Sequence, residues 1–258
     1  MTHTIDLSLD GAVAEIIFEN PVNNFASIAL VQDLADALKE MDRNPACRVI
    51  VLGSRGKIFC AGADLAAASG GGVGGLGADP VRDFYDQALR LFESRKPIVA
   101  AVQGAAVGAG LGLAVAADFR VAGPNARFAA NFARLGYHHG FGLTYTLPRL
   151  IGAQRAALML MTGRRLKPDF ALDWGLVDEC VADDDVLGAA HRLASEISEC
   201  APLSLLATRA TLRSDVHQHV ADALVKEHAE QGKLRDTADF TEGVRAVTER
   251  RPGIFVGA

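Results

Sequence analysis

The chain has 258 residues, half of them hydrophobic and 22% charged, with a formal net charge of −5. This balance is typical of a globular protein with a sizeable core, and no long run of Lys and Arg indicates nucleic-acid binding. No apolar run is long enough to cross a bilayer, and residues 1–10 carry neither segment of a signal peptide. We therefore expect a cytoplasmic protein with no nucleic-acid or membrane partner.

The sequence contains no spacing typical of a metal site. Its four cysteines form no Cys-x-x-Cys pair and indicate the reduced thiols of a cytosolic protein. The seven histidines are scattered, and the adjacent pair His138-His139 has no carboxylate or thiolate neighbour at ligand spacing. We expect no metal.

The first half of the chain alternates strands and helices. Alternating apolar residues predict a hairpin around Asp10-Gly11, and a helix follows from Ser27 with its apolar residues on one face. Residues 49–52 are wholly apolar, which is typical of a strand buried on both faces. The pattern then predicts a glycine-rich loop at 69–77, a helix over 84–92, a strand at 98–102, a helix over 105–117 and a strand at 119–121. This order indicates an α/β core.

Helical spacing dominates the second half of the chain. It covers residues 154–161, 186–200, 203–212, 219–234 and 240–247. We place a boundary near residue 200, between an α/β core at 1–200 that holds the site and a helical region at 201–258.

Two glycine-bearing turns connect a buried strand to a helix, at 59–65 (Phe-Cys-Ala-Gly-Ala-Asp-Leu) and at 104–112 (Gly-Ala-Ala-Val-Gly-Ala-Gly-Leu-Gly). The first N–H groups of a helix have no internal partner, and two of them aimed at one point stabilise a carbonyl oxygen that gains negative charge. Either turn alone is more typical of plain strand-to-helix punctuation. A dinucleotide-binding motif is excluded, because Leu113 stands where the third glycine would be.

Taken together, the segments of the chain resemble the enoyl-CoA hydratase/isomerase (crotonase) superfamily in order and spacing. The combination is specific and spans nearly the whole chain, although any one segment is weak. The matching segments are Asn24, 59–65, 96–104, 108–110, 117–118, Gly136, 147–152, 160–163 and 174–177.

The resemblance implies an α/β fold, a spiral of ββα units with a C-terminal helical region that forms trimers, often paired into hexamers. It implies a coenzyme A thioester as substrate, with no permanently bound cofactor. The thioester oxygen would be held by the backbone N–H groups of Ala63 and Ala109. The family's adenine pocket would be lined by the backbone of Cys60, Ala61, Gly62 and Asp64, and Arg250 of a neighbouring subunit would lie near the CoA phosphates.

The sequence departs from the family at its acid–base positions. The two glutamates of the hydratases would fall at Gly112 and Phe132, and a carboxylate used by other branches would fall at Gly140. Water addition needs a base and an acid, so ordinary hydration is doubtful. His139 stands where a further branch has an aspartate, and its neutral imidazole could remove a proton α to the thioester. His138 and Tyr137 are weaker candidates, and the alternative is that the two histidines only shape a loop.

These observations predict an enzyme of the hydratase/isomerase family, a lyase or an isomerase, that stabilises a thioester enolate. One alternative is an acyl-CoA-binding protein of this fold without hydratase activity. Another is a CoA-ester hydrolase, a decarboxylase or a C–C-bond enzyme that uses His139. The acyl group stays open, although Phe84, Phe132 and Phe141 are candidates for an apolar acyl pocket.

Overall fold

The structure, a computed structural model, describes residues 3–63 and 78–258. The predicted loop at 69–77 lies outside the described residues, as does Asp64. The strands are β1 (Thr4–Asp10), β2 (Val13–Glu19), β3 (Val49–Ser54), β4 (Ile98–Val102), β5 (Ala105–Val107), β6 (Phe119–Ala122), β7 (Arg127–Ala129), β8 (Arg165–Leu166) and β9 (Glu179–Cys180). The helices are α1 (Ile28–Arg43), α2 (Pro80–Arg90), α3 (Ala109–Ala116), α4 (Leu143–Ile151), α5 (Ala153–Thr162), α6 (Pro168–Asp173), α7 (Val186–Ser198), α8 (Pro202–Leu212), α9 (Val216–Leu234) and α10 (Ala238–Thr248). Three-residue and four-residue 3₁₀ helices lie at Leu91–Glu93, Phe132–Leu135 and Asp183–Asp185.

The larger sheet has six strands in the order β1-β2-β3-β4-β6-β9. The predicted hairpin of β1 and β2 is antiparallel, and every other pair is parallel. Strands β3 and β4 are buried almost throughout, as their unbroken apolar sequence predicted. Helix α7 packs on one face of this sheet, while the main apolar core fills the other.

The smaller sheet consists of β5, β7 and β8, and its strands β5 and β7 each follow a strand of the larger sheet after a short turn. Strand β5 comes two residues after β4, and β7 comes four residues after β6, so the chain repeats strand, short strand, helix. The predicted α/β spiral of ββα units is thus present. The predicted single helix over 105–117 is wrong in its first turn, because residues 105–107 pair with β7 and Gly108 takes a positive φ of 54° before α3 begins.

The predicted C-terminal region contains α8, α9 and α10. Helix α9 packs against α2 and α4, and α10 packs against the 3₁₀ helix at Phe132–Leu135. Gly136 and Gly243 allow the last contact, because a Cβ on either would overlap backbone atoms across it. No helix of the described residues is long and apolar enough to cross a membrane.

Asn24 fixes the loop between β2 and α1 to the segment that follows β3. It is almost fully buried and takes a positive φ of 53°. Its side-chain amide donates to the carbonyls of Arg55 and Ile58 at 2.8 and 2.7 Å, and its oxygen accepts from the Asn20 N–H at 2.8 Å. Asn24 therefore sets the path of residues 58–63, which include the first part of the glycine-bearing turn at 59–65.

Replacing Asn24 with alanine removes three hydrogen bonds, leaves the Arg55 carbonyl without its donor, and leaves the Ile58 carbonyl only the Ser54 hydroxyl at 3.3 Å. We expect Asn24→Ala to lower the free energy of unfolding by about 2–3 kcal/mol. Asn44→Ala is the matched control, because the Asn44 side chain makes one local bond to the Ala46 N–H and should cost about 1 kcal/mol or less. Urea unfolding measures both, and equal losses would show that Asn24 does not hold this loop.

Candidate active site

The two glycine-bearing turns meet because the segment after β3 pairs with β5. Cys60 donates its N–H to the Ala105 carbonyl and accepts from the Val107 N–H, both at 3.0 Å, and forms a parallel bridge with Ala106. Gly110 in the first turn of α3 then packs on this segment, since a Cβ there would overlap the Cys60 carbonyl. The two turns are therefore held side by side by backbone contacts.

The predicted donors, Ala63 and Ala109, lie at this junction. Ala109 is the first residue of α3, so its N–H has no partner within the helix. Ala63 bridges to Ala26 on the other side, and Gly62 precedes it at a φ of 105°. A Cβ on Gly62 would lie 4.0 Å from the Ala109 nitrogen. Neither N–H finds an acceptor among residues 3–63 and 78–258, so no described residue occupies either donor at this junction.

The residues expected at the adenine pocket differ in which backbone N–H and carbonyl groups are already hydrogen-bonded. The N–H groups of Cys60 and Ala61 already donate, to Ala105 and to Asn23 at 3.2 Å, and the Gly62 carbonyl accepts from Ala26 at 2.8 Å. The Cys60 side chain is fully buried, and burial raises the pKa of its thiol to about 12. Cys60 is therefore an inert core thiol whose contribution to this site is the path of its backbone.

Arg250 makes no recorded side-chain contact with the described residues of the two turns. It follows α10 at a positive φ of 56°, is exposed, and forms no ion pair with any residue in the described part of the chain. No contact in the described residues brings it to the two turns of its own chain.

Gly112 and Phe132, where the resemblance places the hydratase glutamates, both lie among aromatic side chains. The Phe141 ring packs directly on Gly112, where a Cβ would overlap it, and Phe84 meets Phe141 edge to face at 5.7 Å. Phe84 and Phe141 are 1% exposed, so both belong to the core and not to an open acyl pocket. The half-buried Phe132 ring remains at the site, 3.6 Å from the Cβ position of Gly108.

The loop that carries His138 and His139 is held by polar side chains of α9. Gln231 of α9 donates to the carbonyls of His138 and His139 at 2.9 and 3.3 Å and accepts from the Tyr85 hydroxyl at 2.8 Å. Burial, and next the charge of Glu227, hold the pKa of Tyr85 well above its ordinary value, so it stays a donor.

The end of the same loop is held by Glu227. This fully buried carboxylate accepts from the Gly142 N–H at 2.8 Å and from the Thr144 N–H and hydroxyl at 3.0 and 2.6 Å. It caps the first turn of α4, where negative charge is favoured.

The His139 ring lies against Phe132 and away from charged partners. The two rings meet edge to face at 5.4 Å, and Phe132 in turn lies beside Gly108. Burial lowers the pKa of His139 from 6.5 to about 4, with a smaller contribution from His138 and an opposing one from the Leu160 carbonyl. Its Nδ1 is buried and has no hydrogen-bond partner within the described ranges. His139 is therefore a neutral imidazole at neutral pH.

His138 and Tyr137 have partners of their own. His138 Nδ1 lies 2.9 Å from the His139 carbonyl, and the Tyr137 ring stacks on Phe240 at 4.5 Å. Burial raises the pKa of Tyr137 despite a hydrogen bond to Arg235. These contacts tie both side chains to the loop and to α10.

The sequence reasoning missed one polar side chain at the junction, Asn131. Its Oδ1 lies 3.8 Å from the Cβ position of Gly108, and its amide makes no hydrogen bond to another described residue. The sequence offered one indication of its role, because Asn131 directly precedes Phe132, which was already a candidate site position. Gln231 and Glu227 were also missed, and nothing local to α9 distinguishes them from exposed helix residues.

Among the residues that the structure describes, no three His, Cys, Asp or Glu side chains cluster as a metal site.

Comparison with known proteins shows the family of this chain. A family model described as enoyl-CoA hydratase/isomerase matches residues 8–257. A probable enoyl-CoA hydratase of Mycobacterium tuberculosis is 37% identical over 253 residues, covering 95% of this chain and 97% of that protein. The carnitinyl-CoA dehydratase of Salmonella paratyphi A is 30% identical over 269 aligned positions and is matched over 100% of both chains.

Solved structures show the same fold. The crystal structure of an enoyl-CoA hydratase/isomerase from Pseudoalteromonas atlantica superposes with a TM-score of 0.86 at 27% identity, covering 98% of this chain and 99% of that one. A probable enoyl-CoA hydratase/isomerase from Mycobacterium abscessus gives a TM-score of 0.75 at 31% identity over 100% of both chains. The chain belongs to the enoyl-CoA hydratase/isomerase family. It is an acyl-CoA-processing enzyme of that family.

The depressed pKa of His139 makes stability depend on pH. The unfolded chain binds a proton at this residue from about pH 6.5 downward, whereas the folded chain does so only near pH 4. Its contribution is therefore fully present above pH 6.5 and is lost as the pH falls from 6.5 to about 4, by at most ~3 kcal/mol. We expect His139→Gln to flatten this part of the pH profile in urea unfolding. His219→Gln, at an exposed histidine, is the control, and an unchanged slope in His139→Gln would contradict the assignment.

Proposed function

We propose that the enzyme stabilises the enolate of a CoA thioester by hydrogen bonds from the Ala63 and Ala109 N–H groups to the thioester oxygen. The observation that carries the proposal is the pair of open N–H groups at one junction, one of them at the positive end of α3. Such donors stabilise charge as it develops, and they require small side chains for the substrate to approach. Both residues are alanine, and glycines flank each turn.

The proposed chemistry is proton transfer at the α-carbon. His139 would accept the α-proton at a ring nitrogen and become an imidazolium, the C–H electron pair would pass into the enolate, and the same proton would return to the carbon skeleton. The neutral state of His139 at physiological pH supports the role of acceptor. The Phe132 ring lies between His139 and Gly108, so the α-carbon would have to lie along the edge of Phe132.

Ordinary hydration fits this site less well. Adding water to a double bond needs an acid and a base, and neither Gly112 nor Phe132 titrates. Among the alternatives, isomerisation, decarboxylation and C–C bond cleavage all pass through the same enolate. Acyl-CoA binding without turnover is the second candidate, and the lack of a charged acid–base group among the described residues of the junction favours it.

The remaining features of the proposal follow from the family. The substrate would bring CoA with it, so no permanently bound cofactor is proposed, and Cys60, Ala61, Gly62 and Asp64 would line the adenine pocket. The chain would form a trimer or hexamer in the cytoplasm, and Arg250 would reach the CoA phosphates of a neighbouring subunit. Exposed apolar side chains on α5, α6 and α9, at Met161, Phe170 and Val225, support a subunit contact.

A proline at position 109 tests the N–H donor without breaking the helix. Proline is tolerated at the first helical position, where it replaces the N–H with a ring methylene group. We expect Ala109→Pro to lower kcat/KM by about 10²-fold or more for any CoA thioester that the wild type turns over, and to weaken its binding. The matched control is Ala153→Pro, because Ala153 begins α5 after a glycine at positive φ, as Ala109 begins α3. Wild-type kinetics in Ala109→Pro would show that the Ala109 N–H does not bind the thioester oxygen.

His139 is tested by separating binding from turnover. With a thioester identified by a mass-spectrometric screen, we expect His139→Ala to lower kcat by roughly 10²-fold and leave the Kd for the CoA ester nearly unchanged. His138→Ala is the control, since its ring is bound to the neighbouring carbonyl. If His138→Ala loses activity and His139→Ala keeps it, His138 is the base. If the wild type binds CoA thioesters but turns over none of them, the chain is an acyl-CoA-binding protein.

A further inference from the structure

Helix α3, which begins with the Ala109 N–H, has no polar side chain with which to hold its own position. All eight residues of Ala109–Ala116 are glycine or apolar, and all are buried. Near its N-terminal end the helix is located by packing, since Gly110 lies against the Cys60 carbonyl. Polar contacts to α3 are therefore to be sought at the carbonyls of its C-terminal end.

Two arginines donate to the carbonyls at the C-terminal end of α3. The last carbonyls of a helix have no partner inside it, and burial makes them costly unless a donor reaches them. Arg120 donates Nη1 to the carbonyls of Ala114 and Ala117, at 3.5 and 2.9 Å. Arg213 donates Nη2 to the Ala116 carbonyl at 3.2 Å. Both guanidinium groups also bring positive charge to the negative end of the helix dipole, where it is favoured.

Arg120 is itself fixed by the larger sheet. It lies in β6, where its backbone pairs with Ala100 of β4, and it is 2% exposed. Its Nε donates to the Leu176 carbonyl at 2.6 Å, and its Nη2 donates to the Asp118 carbonyl at 3.1 Å. Its backbone N–H donates to the Asp178 carboxylate at 2.7 Å. The C-terminal end of α3 is thereby tied to the sheet and to the segment that leads into β9.

Arg213 links the same end of α3 to the C-terminal region. It directly follows α8 and donates Nη1 to the Asp118 carboxylate at 3.1 Å. Arg209, one turn earlier, donates Nε to the same carboxylate at 2.8 Å. Its Nη1 donates to the Ser94 carbonyl, so neither of these bonds involves α3. Both arginines thus hold Asp118, and Arg213 differs from Arg209 by its additional bond to α3.

We propose that Arg120 and Arg213 are positioning residues for the thioester oxygen: by holding the C-terminal carbonyls of α3, they fix the position of the Ala109 N–H. This role rests on the proposed function, because it concerns the same N–H group and the same oxygen. The eight residues of α3 span about 12 Å, and so short a helix transmits a displacement of its last turn to its first. A misplacement of about 1 Å at a reacting group can cost about 10²-fold in rate.

Arg213→Met, compared with Arg209→Met, isolates the bond to α3. Both variants lose an ion pair with Asp118, and the first also loses the donor to the Ala116 carbonyl. Arg213 is chosen because its side chain is 16% exposed, whereas replacement of the fully buried Arg120 would affect the core. Should either methionine variant fail to fold, Arg213→Lys and Arg209→Lys repeat the comparison, since one lysine nitrogen cannot occupy both Nη positions of Arg213.

Amide hydrogen exchange of the full-length chain without ligand tests whether Arg213 holds the helix. The exchange of Ala109–Ala116 is measured relative to that of Val49–Ser54 in β3, which corrects for any change in global stability. We expect the relative exchange of α3 to be about tenfold faster in Arg213→Met and to stay at the wild-type value in Arg209→Met.

An infrared measurement tests whether the same bond sets the donor. The probe is butyryl-CoA isotopically labelled at its carbonyl carbon, because hydrogen bonds to the thioester oxygen move the carbonyl band to lower frequency. We expect the band of the wild-type complex to lie below that of free butyryl-CoA. In Arg213→Met it should return part of the way, and in Arg209→Met it should match wild type. For any thioester that is turned over, kcat should fall about tenfold in Arg213→Met, with KM within about twofold of wild type.

Equal exchange and equal infrared bands in Arg213→Met and Arg209→Met would overturn the positioning role. Faster exchange of α3 in Arg213→Met with an unchanged band would also overturn it, because the arginine would then hold the helix without setting the donor. A wild type that does not bind butyryl-CoA, or binds it with the band of the free thioester, contradicts the proposed function instead. The exchange measurement then still decides whether Arg213 holds α3, so the two failures are distinguishable.

Discussion

The pairing of the segment around Cys60 with β5 is the constraint on which the site depends. Two backbone hydrogen bonds at 3.0 Å fix the position of the first turn relative to the second. Gly110 has no side chain, so α3 packs in direct contact with the Cys60 carbonyl. Asn24 and the Ala26–Ala63 bridge hold the opposite side of that segment. The position of the open Ala63 N–H therefore follows from main-chain contacts, and side-chain chemistry enters only at the edges.

Among the residues that the structure describes, few charged groups lie near the junction. His139 stays neutral because it is buried, Tyr85 stays protonated, and the nearby carboxylate, Glu227, is engaged by the first turn of α4. Hydrogen bonds from backbone donors are stronger where water and competing ions are kept away. An oxyanion that forms between the two turns would therefore be stabilised by oriented N–H groups in a medium of low polarity.

Local sequence patterns predicted much of the fold. The alternation of apolar residues predicted the β1–β2 hairpin. The helical periodicity after Ser27 predicted α1, and Ser27 caps the first turn of that helix. Strand β5 was missed because small apolar residues suit a strand and a helix equally, and only pairing with β7 and Cys60 decides between them. The two glycine turns were found because their chemistry is local, whereas Gln231 and Glu227 act on a loop some ninety residues earlier and leave no trace near themselves.

The contact between Gly112 and Phe141 also bears on how this site can change. A side chain of any size at position 112 needs the space that the Phe141 ring fills, and that ring is packed by Phe84. A carboxylate at 112 is therefore accessible only after position 141 has become small, so the two substitutions are order-dependent. The Phe141 ring therefore prevents a single substitution from placing a carboxylate at position 112.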